Sequence, residues 1–99
     1  MTVVGDGEQR RDFTYVKDVV KANILAAESN NADIIGEIFN VGSGVNHSVL
    51  DVADIIGGEI EFIPNRPGEA RETLADLAKS KKLLGYEPSV KLEDWIKSY

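Results

Sequence analysis

The sequence predicts one small domain of mixed helix and strand, in the α/β or α+β class. Three observations support this. Short β-type segments alternate with helical patterns along the chain. One segment of 13 residues carries a clear helical repeat of apolar side chains. Glycine-containing turns separate most of the segments. The length of 99 residues leaves room for no more than one domain.

The first third of the chain predicts two extended pieces and one helix. Residues 1–4 form a strand that ends at Gly5, and residues 12–16 form a second extended piece. Residues 17–29 predict a helix whose apolar residues cover an arc of roughly 200°. Because this arc is wider than the stripe of an ordinary surface helix, we expect the helix to need cover on two sides.

The middle of the chain predicts a strand, a turn and a helix. Residues 37–41 form the strand and residues 42–44 the turn. Ser48 is the predicted N-cap of the helix, with Asp51 at its third position as in a capping box. The helix runs to about residue 56, where a pair of glycines ends it.

The last third predicts a strand, a long loop and two helices. Residues 59–63 alternate in polarity and indicate a strand. Residues 64–72 form a loop whose prolines keep it extended. Asp76 is the predicted N-cap of a helix over residues 77–84, which ends at a glycine. A final helix covers residues 91–99.

The composition excludes several classes of function. The net charge of −6 argues against nucleic acid or an anionic membrane as partner. Without cysteine there is no disulfide, and one histidine cannot build a His-rich metal site. No apolar run reaches 18 residues, and the N-terminus lacks a signal-peptide pattern. We therefore expect a soluble cytoplasmic protein.

Two Gly-x-Gly pairs suggest a dinucleotide loop, but their spacing does not fit. The third glycine after Gly42 and Gly44 would fall at His47, and the third after the pair in 5–7 would fall at Arg10. Both pairs are expected to be tight turns. The chain also has no Gly-x-Ser-x-Gly elbow and no Tyr-x-x-x-Lys pair, so we predict no catalytic residues.

The arginines form the most suggestive pattern. All four lie in the two loops that look least like regular structure: Arg10, Arg11, Arg66 and Arg71. Arginine suits bidentate contact with phosphate oxygens, and neighbouring carboxylates such as Asp12 and Glu69 could accept sugar hydroxyls. The alternative is a set of surface ion pairs that contribute little to stability.

Other polar and aromatic residues are expected to have structural roles. Asp18 should stabilise the N-terminus of the 17–29 helix, and Asn40 should bind backbone. His47 should form a hydrogen bond within its loop, and Trp95 should lie in the core. Three lysines should form a solvated face: Lys79, Lys81 and Lys82.

Three blocks of sequence resemble the extended short-chain dehydrogenase/reductase family, and within it the NAD-dependent nucleotide-sugar epimerases and dehydratases typified by UDP-glucose 4-epimerase. They are "GDGEQRRDFTYVKDVVKANILA", "FNVGSGVNHSVLDVADII" and "RPGEARETLADLAKSKKLLGYEP". They occur in the family's order and cover nearly the whole chain.

The resemblance implies a substrate site. In the family, the arginines that match Arg11 and Arg66 contact the diphosphate of the nucleotide sugar. The acid that matches Glu69 bonds the ribose, although aspartate is commoner there. Gln9 lies near the same pocket in some members. The expected ligand is a UDP- or dTDP-sugar.

The resemblance also implies what lies elsewhere in such enzymes. The NAD-binding turn and the Tyr-x-x-x-Lys pair belong to the N-terminal two-thirds, which this sequence does not match. Residues 1–99 are therefore expected to be one C-terminal substrate-binding segment without the dinucleotide-binding core. This segment should bind no NAD by itself and be inactive alone. It should also contact the N-terminal Rossmann portion or self-associate. Alternatives are a non-catalytic binding or interaction module, and a reductase for a substrate without a nucleotide.

Overall fold

The computed structural model describes residues 1–98 and has the mixed α/β composition that the sequence predicts. Strands and helices alternate along it. The strands are β1 (Thr2–Val4), β2 (Arg10–Arg11), β3 (His47–Ser48) and β4 (Glu61–Ile63). The helices are α1 (Val16–Glu28), α2 (Val49–Ile56), α3 (Ala78–Leu84) and α4 (Leu92–Ser98), with a single 3-10 turn at Ala32–Ile34.

The strands form two separate pairs. β1 and β4 are parallel, with Val3 opposite Phe62. β2 and β3 are antiparallel, with Arg10 opposite Ser48. Arg10 also forms a parallel bridge with Glu72 in the loop after β4. β2 therefore joins the β3–α2 region to the 64–72 loop.

The helix boundaries follow local signals that the sequence contains. Ser48 caps α2, as predicted, because its Oγ accepts a hydrogen bond from the Asp51 N–H at 3.0 Å. Asp76 Oδ1 accepts from the Ala78 N–H at 3.0 Å, although Leu77, not Asp76, is the residue that flanks α3. Gly85 ends α3 in the left-handed conformation, at a φ of 69°.

Asp18 lies in the first turn of α1, as predicted, but its carboxylate serves a tertiary contact. The side chain is buried, with 2% of the residue exposed. It accepts hydrogen bonds from the N–H of Ser89, at 3.0 Å, and from the Ser89 hydroxyl. Asp18 therefore connects α1 to the segment between α3 and α4.

The predicted strand at 37–41 is wrong. This segment has no strand partner among residues 1–98. Instead, two side chains of α3 bind its carbonyl groups. Lys79 Nζ donates to the Ile38 carbonyl at 3.0 Å, and the hydroxyl of Ser80 donates to the Asn40 carbonyl. A strand-like sequence without a neighbouring strand stays irregular, because ladder hydrogen bonds define a strand.

The core is small and lies between α1, α3 and the irregular segment 39–41. Its buried members are Ala22, Leu77, Leu84 and Tyr86. The predicted core position of Trp95 is wrong, since 39% of this residue is exposed. The radius of gyration is 16.2 Å, whereas a compact domain of this length has about 13 Å. The described chain is therefore a flat unit with much apolar surface uncovered.

Candidate functional site

Strand β2 directs its two arginines to different partners. Arg10 binds Asn46, through Nε to Oδ1 at 2.9 Å and through Nη2 to the carbonyl at 3.1 Å. Arg11 donates from Nη1 to the Arg10 carbonyl at 2.8 Å, and its Nη2 lies 3.4 Å from Glu69 Oε1. Arg10 therefore connects β2 to the residue before β3, whereas Arg11 contacts the 64–72 loop.

Glu69 belongs to the wall of an open cleft of about 160 Å³. The cleft lies between the end of the β1–β2 connection and the loop after β4. Its lining residues are Gln9, Asn65, Arg66, Glu69, Ala70 and Arg71. The structure thus places three of the four predicted substrate-binding residues on one cleft, and it places Arg11 beside that cleft through its contact with Glu69.

The predicted site residues differ in how far they are already engaged. Gln9 is buried, and its Nε2 donates to the Val4 carbonyl at 3.0 Å. Arg66 is exposed, and within residues 1–98 it makes no ion pair or hydrogen bond. The Arg66 guanidinium therefore keeps all its donors available for an anionic group.

Asp12 fixes the loops behind the cleft, a role that the sequence analysis missed. Its half-buried carboxylate accepts from the N–H groups of Ser43 (2.9 Å), Gly44 (3.0 Å) and Ala75 (3.2 Å), and from the Ser43 hydroxyl. Burial alone would raise the pKa of Asp12, but these hydrogen bonds outweigh it and the pKa lies below its ordinary value. The position of Asp12 directly after Arg11, in the first of the three sequence blocks that resemble the family, could have indicated that this residue is important.

The Gly42–Gly44 turn is not built to hold a dinucleotide. A Cβ at Gly42 would lie 2.6 Å from the Ala75 Cβ and 2.8 Å from Asp12 Oδ2, so the space beside this glycine is already filled. The N–H groups of Ser43 and Gly44 both bind the Asp12 carboxylate. An anionic pyrophosphate would have to displace this carboxylate, so these residues do not fit NAD.

Tyr86 packs beneath the protein surface and contacts the Gly42–Gly44 turn. The residue is fully buried, and its hydroxyl donates to the Gly42 carbonyl at 2.6 Å. Burial, with the nearby charges of Asp18 and Asp12, raises the pKa of Tyr86. The hydroxyl therefore stays a neutral donor, which suits a structural role.

The remaining polar residues have contacts of their own. Asn40 donates to the Asp76 carbonyl at 3.3 Å, which agrees with the predicted backbone contact. His47 lies in β3, not in a loop, and its Nε2 is 3.4 Å from Glu93 Oε2. Two of the three lysines pair with carboxylates: Lys79 with Glu37, and Lys81 with Glu87.

Residues 1–98 contain neither a cluster of metal-ligating side chains nor a membrane-spanning helix. No group of three or more potential ligand side chains could hold a metal ion there. Within the same residues, no helix combines the length and apolar character needed to cross a bilayer.

Comparison with known proteins gives consistent relatives. The family model described as GDP-mannose 4,6 dehydratase matches residues 1–99. The chain is 38% identical to an uncharacterized UDP-glucose epimerase of Bacillus subtilis and 36% identical to UDP-glucuronic acid decarboxylase 1 of Xenopus tropicalis. Each alignment covers 97% of this chain, but 32% and 23% of the relatives' lengths.

A solved structure agrees with the sequence relatives. UDP-glucuronic acid 4-epimerase from Bacillus cereus, in complex with UDP-glucuronic acid and NAD, superposes with a TM-score of 0.89 at 37% identity. The superposition covers 97% of this chain and 32% of that enzyme. The chain thus spans about a third or less of the proteins that it matches. Because the family model spans the whole sequence, the chain belongs to the GDP-mannose 4,6 dehydratase family of extended short-chain dehydrogenases/reductases.

Proposed function

We propose that residues 1–99 are the substrate-binding segment of an NAD-dependent nucleotide-sugar epimerase or dehydratase, and that this segment holds the diphosphate of the nucleotide sugar. One observation carries the proposal. Gln9, Arg66 and Glu69 line a single cleft, and Arg11 contacts Glu69 at its side. Residues from two distant parts of the sequence, 9–11 and 66–69, therefore meet in one place, with chemistry that suits a phosphorylated sugar.

Each residue has a role that its functional group suits. Arg66 and Arg11 supply planar sets of donors for the diphosphate oxygens. Glu69 supplies carboxylate oxygens that accept hydrogen bonds from ribose hydroxyls. Since the chain as a whole is acidic, with a net charge of −6, an anion would be attracted only where such cations are concentrated.

The redox chemistry belongs to other parts of the parent enzyme. The Gly42–Gly44 turn does not fit a dinucleotide, and the sequence has no Tyr-x-x-x-Lys pair. NAD, which is present in the complex of the Bacillus cereus relative, would be held by residues outside this chain. We therefore expect the 99-residue chain to bind a nucleotide sugar without turning it over.

A second candidate function is a non-catalytic interaction module. The outer face of α1 supports it, because Val16 (67% exposed), Val20 (50%) and Ile24 (50%) present apolar side chains to solvent. In the parent enzyme this face would pack on the dinucleotide-binding portion. In the isolated chain it would favour self-association.

Calorimetry with UDP-glucose and dTDP-glucose tests the two candidates. We expect binding by the native chain and a loss of about 10- to 100-fold in affinity in Arg66→Ala, the range for hydrogen bonds to charged groups. Lys82→Ala is the matched control, since it removes one exposed positive charge from α3. Absence of binding, together with dimers in light scattering, would favour the interaction module. Turnover of UDP-glucose with NAD by this chain would contradict its expected inactivity.

A further inference from the structure

The connection between β1 and β2 contacts both ends of the loop 64–72, which lines one side of the cleft. At the first end, Gly5 donates its N–H to the Ile63 carbonyl at 2.8 Å and lies against Asn65. A Cβ on Gly5 would be only 1.9 Å from Asn65 Oδ1, and the φ of Gly5 is 63°. The left-handed backbone conformation therefore favours glycine at position 5, and a side chain there would also require the Asn65 amide to move.

At the second end, Asp6 forms a two-pronged ion pair with Arg71. Nη1 of Arg71 lies 2.9 Å from Oδ1 of Asp6, and Nη2 lies 3.1 Å from Oδ2. This parallel geometry is the most favourable one for an arginine and a carboxylate. The short segment Gly5–Asp6 thus holds the start and the finish of the loop that carries Arg66 and Glu69.

Both partners of this pair are also fixed by backbone contacts. Asp6 Oδ1 accepts from the Glu8 N–H at 2.9 Å, which orients the carboxylate within its own turn. The Arg71 carbonyl accepts from the Arg10 N–H at 2.8 Å, which attaches the loop to β2. Because the backbone is already held on each side, little further backbone freedom is lost when the two side chains meet.

The pair is exposed, so its contribution to global stability is small. The hydrogen bond from Arg71, followed by that from Glu8, lowers the pKa of Asp6, and Asp6 in turn raises the pKa of Arg71. Both groups are therefore charged throughout the neutral range. An exposed pair of this kind fixes the local geometry of a loop but adds little to the free energy of unfolding.

We propose that Asp6 and Arg71 are positioning residues, which hold the loop 65–71 in the shape that places Arg66 and Glu69 on one cleft with Gln9. Arg71 lines the cleft, but its guanidinium is committed to Asp6. It acts on the ligand through the loop and not by direct contact. The effect on nucleotide affinity rests on the function proposed above, whereas the effect on loop order does not.

The Asp6→Ala substitution separates positioning from direct contact by the sign of its effect. If Arg71 were itself a phosphate ligand, removing Asp6 would free its guanidinium and remove a nearby negative charge, and UDP would bind more tightly. Positioning has the opposite consequence, because the loop keeps its backbone hydrogen bond to Arg10 but loses the side-chain contact that fixes its shape at Arg71. Asp6→Ala and Arg71→Ala should then weaken UDP binding by a similar factor, about two- to fivefold, the range for an exposed ion pair.

The experiment combines NMR relaxation without ligand and calorimetry with UDP, on the 99-residue chain. The variants are Asp6→Ala, Arg71→Ala, their double variant and the exchanged pair Asp6→Arg/Arg71→Asp. We expect the backbone order parameters of Glu69 and Ala70 to fall from about 0.85 toward 0.6 in both single variants. The double variant should be no worse than either, and the exchanged pair should recover order in part. Lys81→Ala is the control, since it breaks an exposed pair on α3, outside the cleft lining.

The outcomes distinguish the two proposals. Tighter UDP binding in Asp6→Ala overturns the positioning role, and so do unchanged order parameters at Glu69 and Ala70 in both single variants. If the native chain fails to bind UDP while the loop still loosens in both variants, the nucleotide-sugar function fails and the control of the loop by this pair stands.

Discussion

Arg11 and Glu69 are 58 positions apart in the sequence, and their side chains meet at 3.4 Å beside the cleft. The contact joins a cation proposed for the diphosphate to a carboxylate proposed for the ribose. In this contact each residue partly neutralises the charge of the other. In the proposed complex, the diphosphate would replace Glu69 as the partner of Arg11. A ribose hydroxyl would replace Arg11 as the partner of Glu69.

Glu69→Ala should have opposite effects on two ligands. Removal of the carboxylate leaves Arg11 unneutralised, so inorganic pyrophosphate should bind about two- to fivefold more tightly, as for the loss of one partly exposed charge pair. UDP should bind more weakly, because its ribose loses an acceptor. Calorimetry with both ligands measures this, and weaker binding of both would argue that Glu69 shapes the loop and does not contact the ribose.

Asp12→Asn should destabilise the chain by about 2 kcal/mol, since hydrogen bonds to a charged group are replaced and an amide –NH₂ faces N–H donors. The carboxylate serves Ser43, Gly44 and Ala75 at once. Urea denaturation followed by circular dichroism measures the change. Asp54→Asn, on the exposed side of α2, is the control and should cost less than about 0.5 kcal/mol. Equal midpoints for the two variants would contradict the role assigned to Asp12.

The same carboxylate predicts the direction of a pH effect. Hydrogen bonding lowers the folded-state pKa of Asp12 below the ordinary value of 3.8, despite the opposing effect of burial. In the interval between the two values the unfolded chain binds more protons, so stability rises with pH there. The contribution is complete above pH 3.8 and is lost as the pH falls through the lower folded-state pKa. Acid titration of the native chain and of Asp12→Asn should show a shallower acid limb in the variant.

Gly42→Ala should be costly for steric reasons. The added methyl group would lie 2.6 Å from the Ala75 Cβ and 2.8 Å from Asp12 Oδ2. These two neighbours cannot easily move apart, because the Ala75 N–H is hydrogen-bonded to the Asp12 carboxylate. We expect a loss of about 2 kcal/mol or more in the free energy of unfolding. Gly36→Ala is a useful comparison, because Gly36 has open space around it and a φ of 73°, so only the backbone cost of about 1 kcal/mol applies. Thermal unfolding of both variants checks the order of these effects.

Local signals in the sequence were sufficient for most elements. The Ser48 cap, the apolar repeat of α1 and the glycine at 85 each act within a few residues, and each marks a boundary in the structure. Segment 37–41 shows the limit of this approach. Its β-type residues have no strand beside them among residues 1–98, and pairing is a property of two segments. No local pattern carries that information.

The site divides in the same way. The resemblance to a family implied a common substrate pocket for Arg11, Arg66 and Glu69. In the structure Arg66 and Glu69 line one cleft and Arg11 contacts Glu69 beside it, while their role toward a substrate stays a prediction. The carboxylates that organise the surrounding loops were harder to identify. Asp18 and Asp12 find their partners 71 and 31 to 63 positions away, in loops without regular structure. Such contacts follow from the tertiary fold, so composition and periodicity could not predict them.

The hydrogen bonds around Asp12 also predict when in folding this part of the chain becomes ordered. The N–H groups that reach this carboxylate belong to residues 31, 32 and 63 positions further along. Each contact closes a long loop, and the entropy of closure must be overcome before any of the bonds forms. The hydrogen bonds within α1 and α2 are local, so we expect these helices to form before the contacts of Asp12. The cleft also joins distant parts of the chain, Gln9 and residues 65–71, and is expected to form late for the same reason.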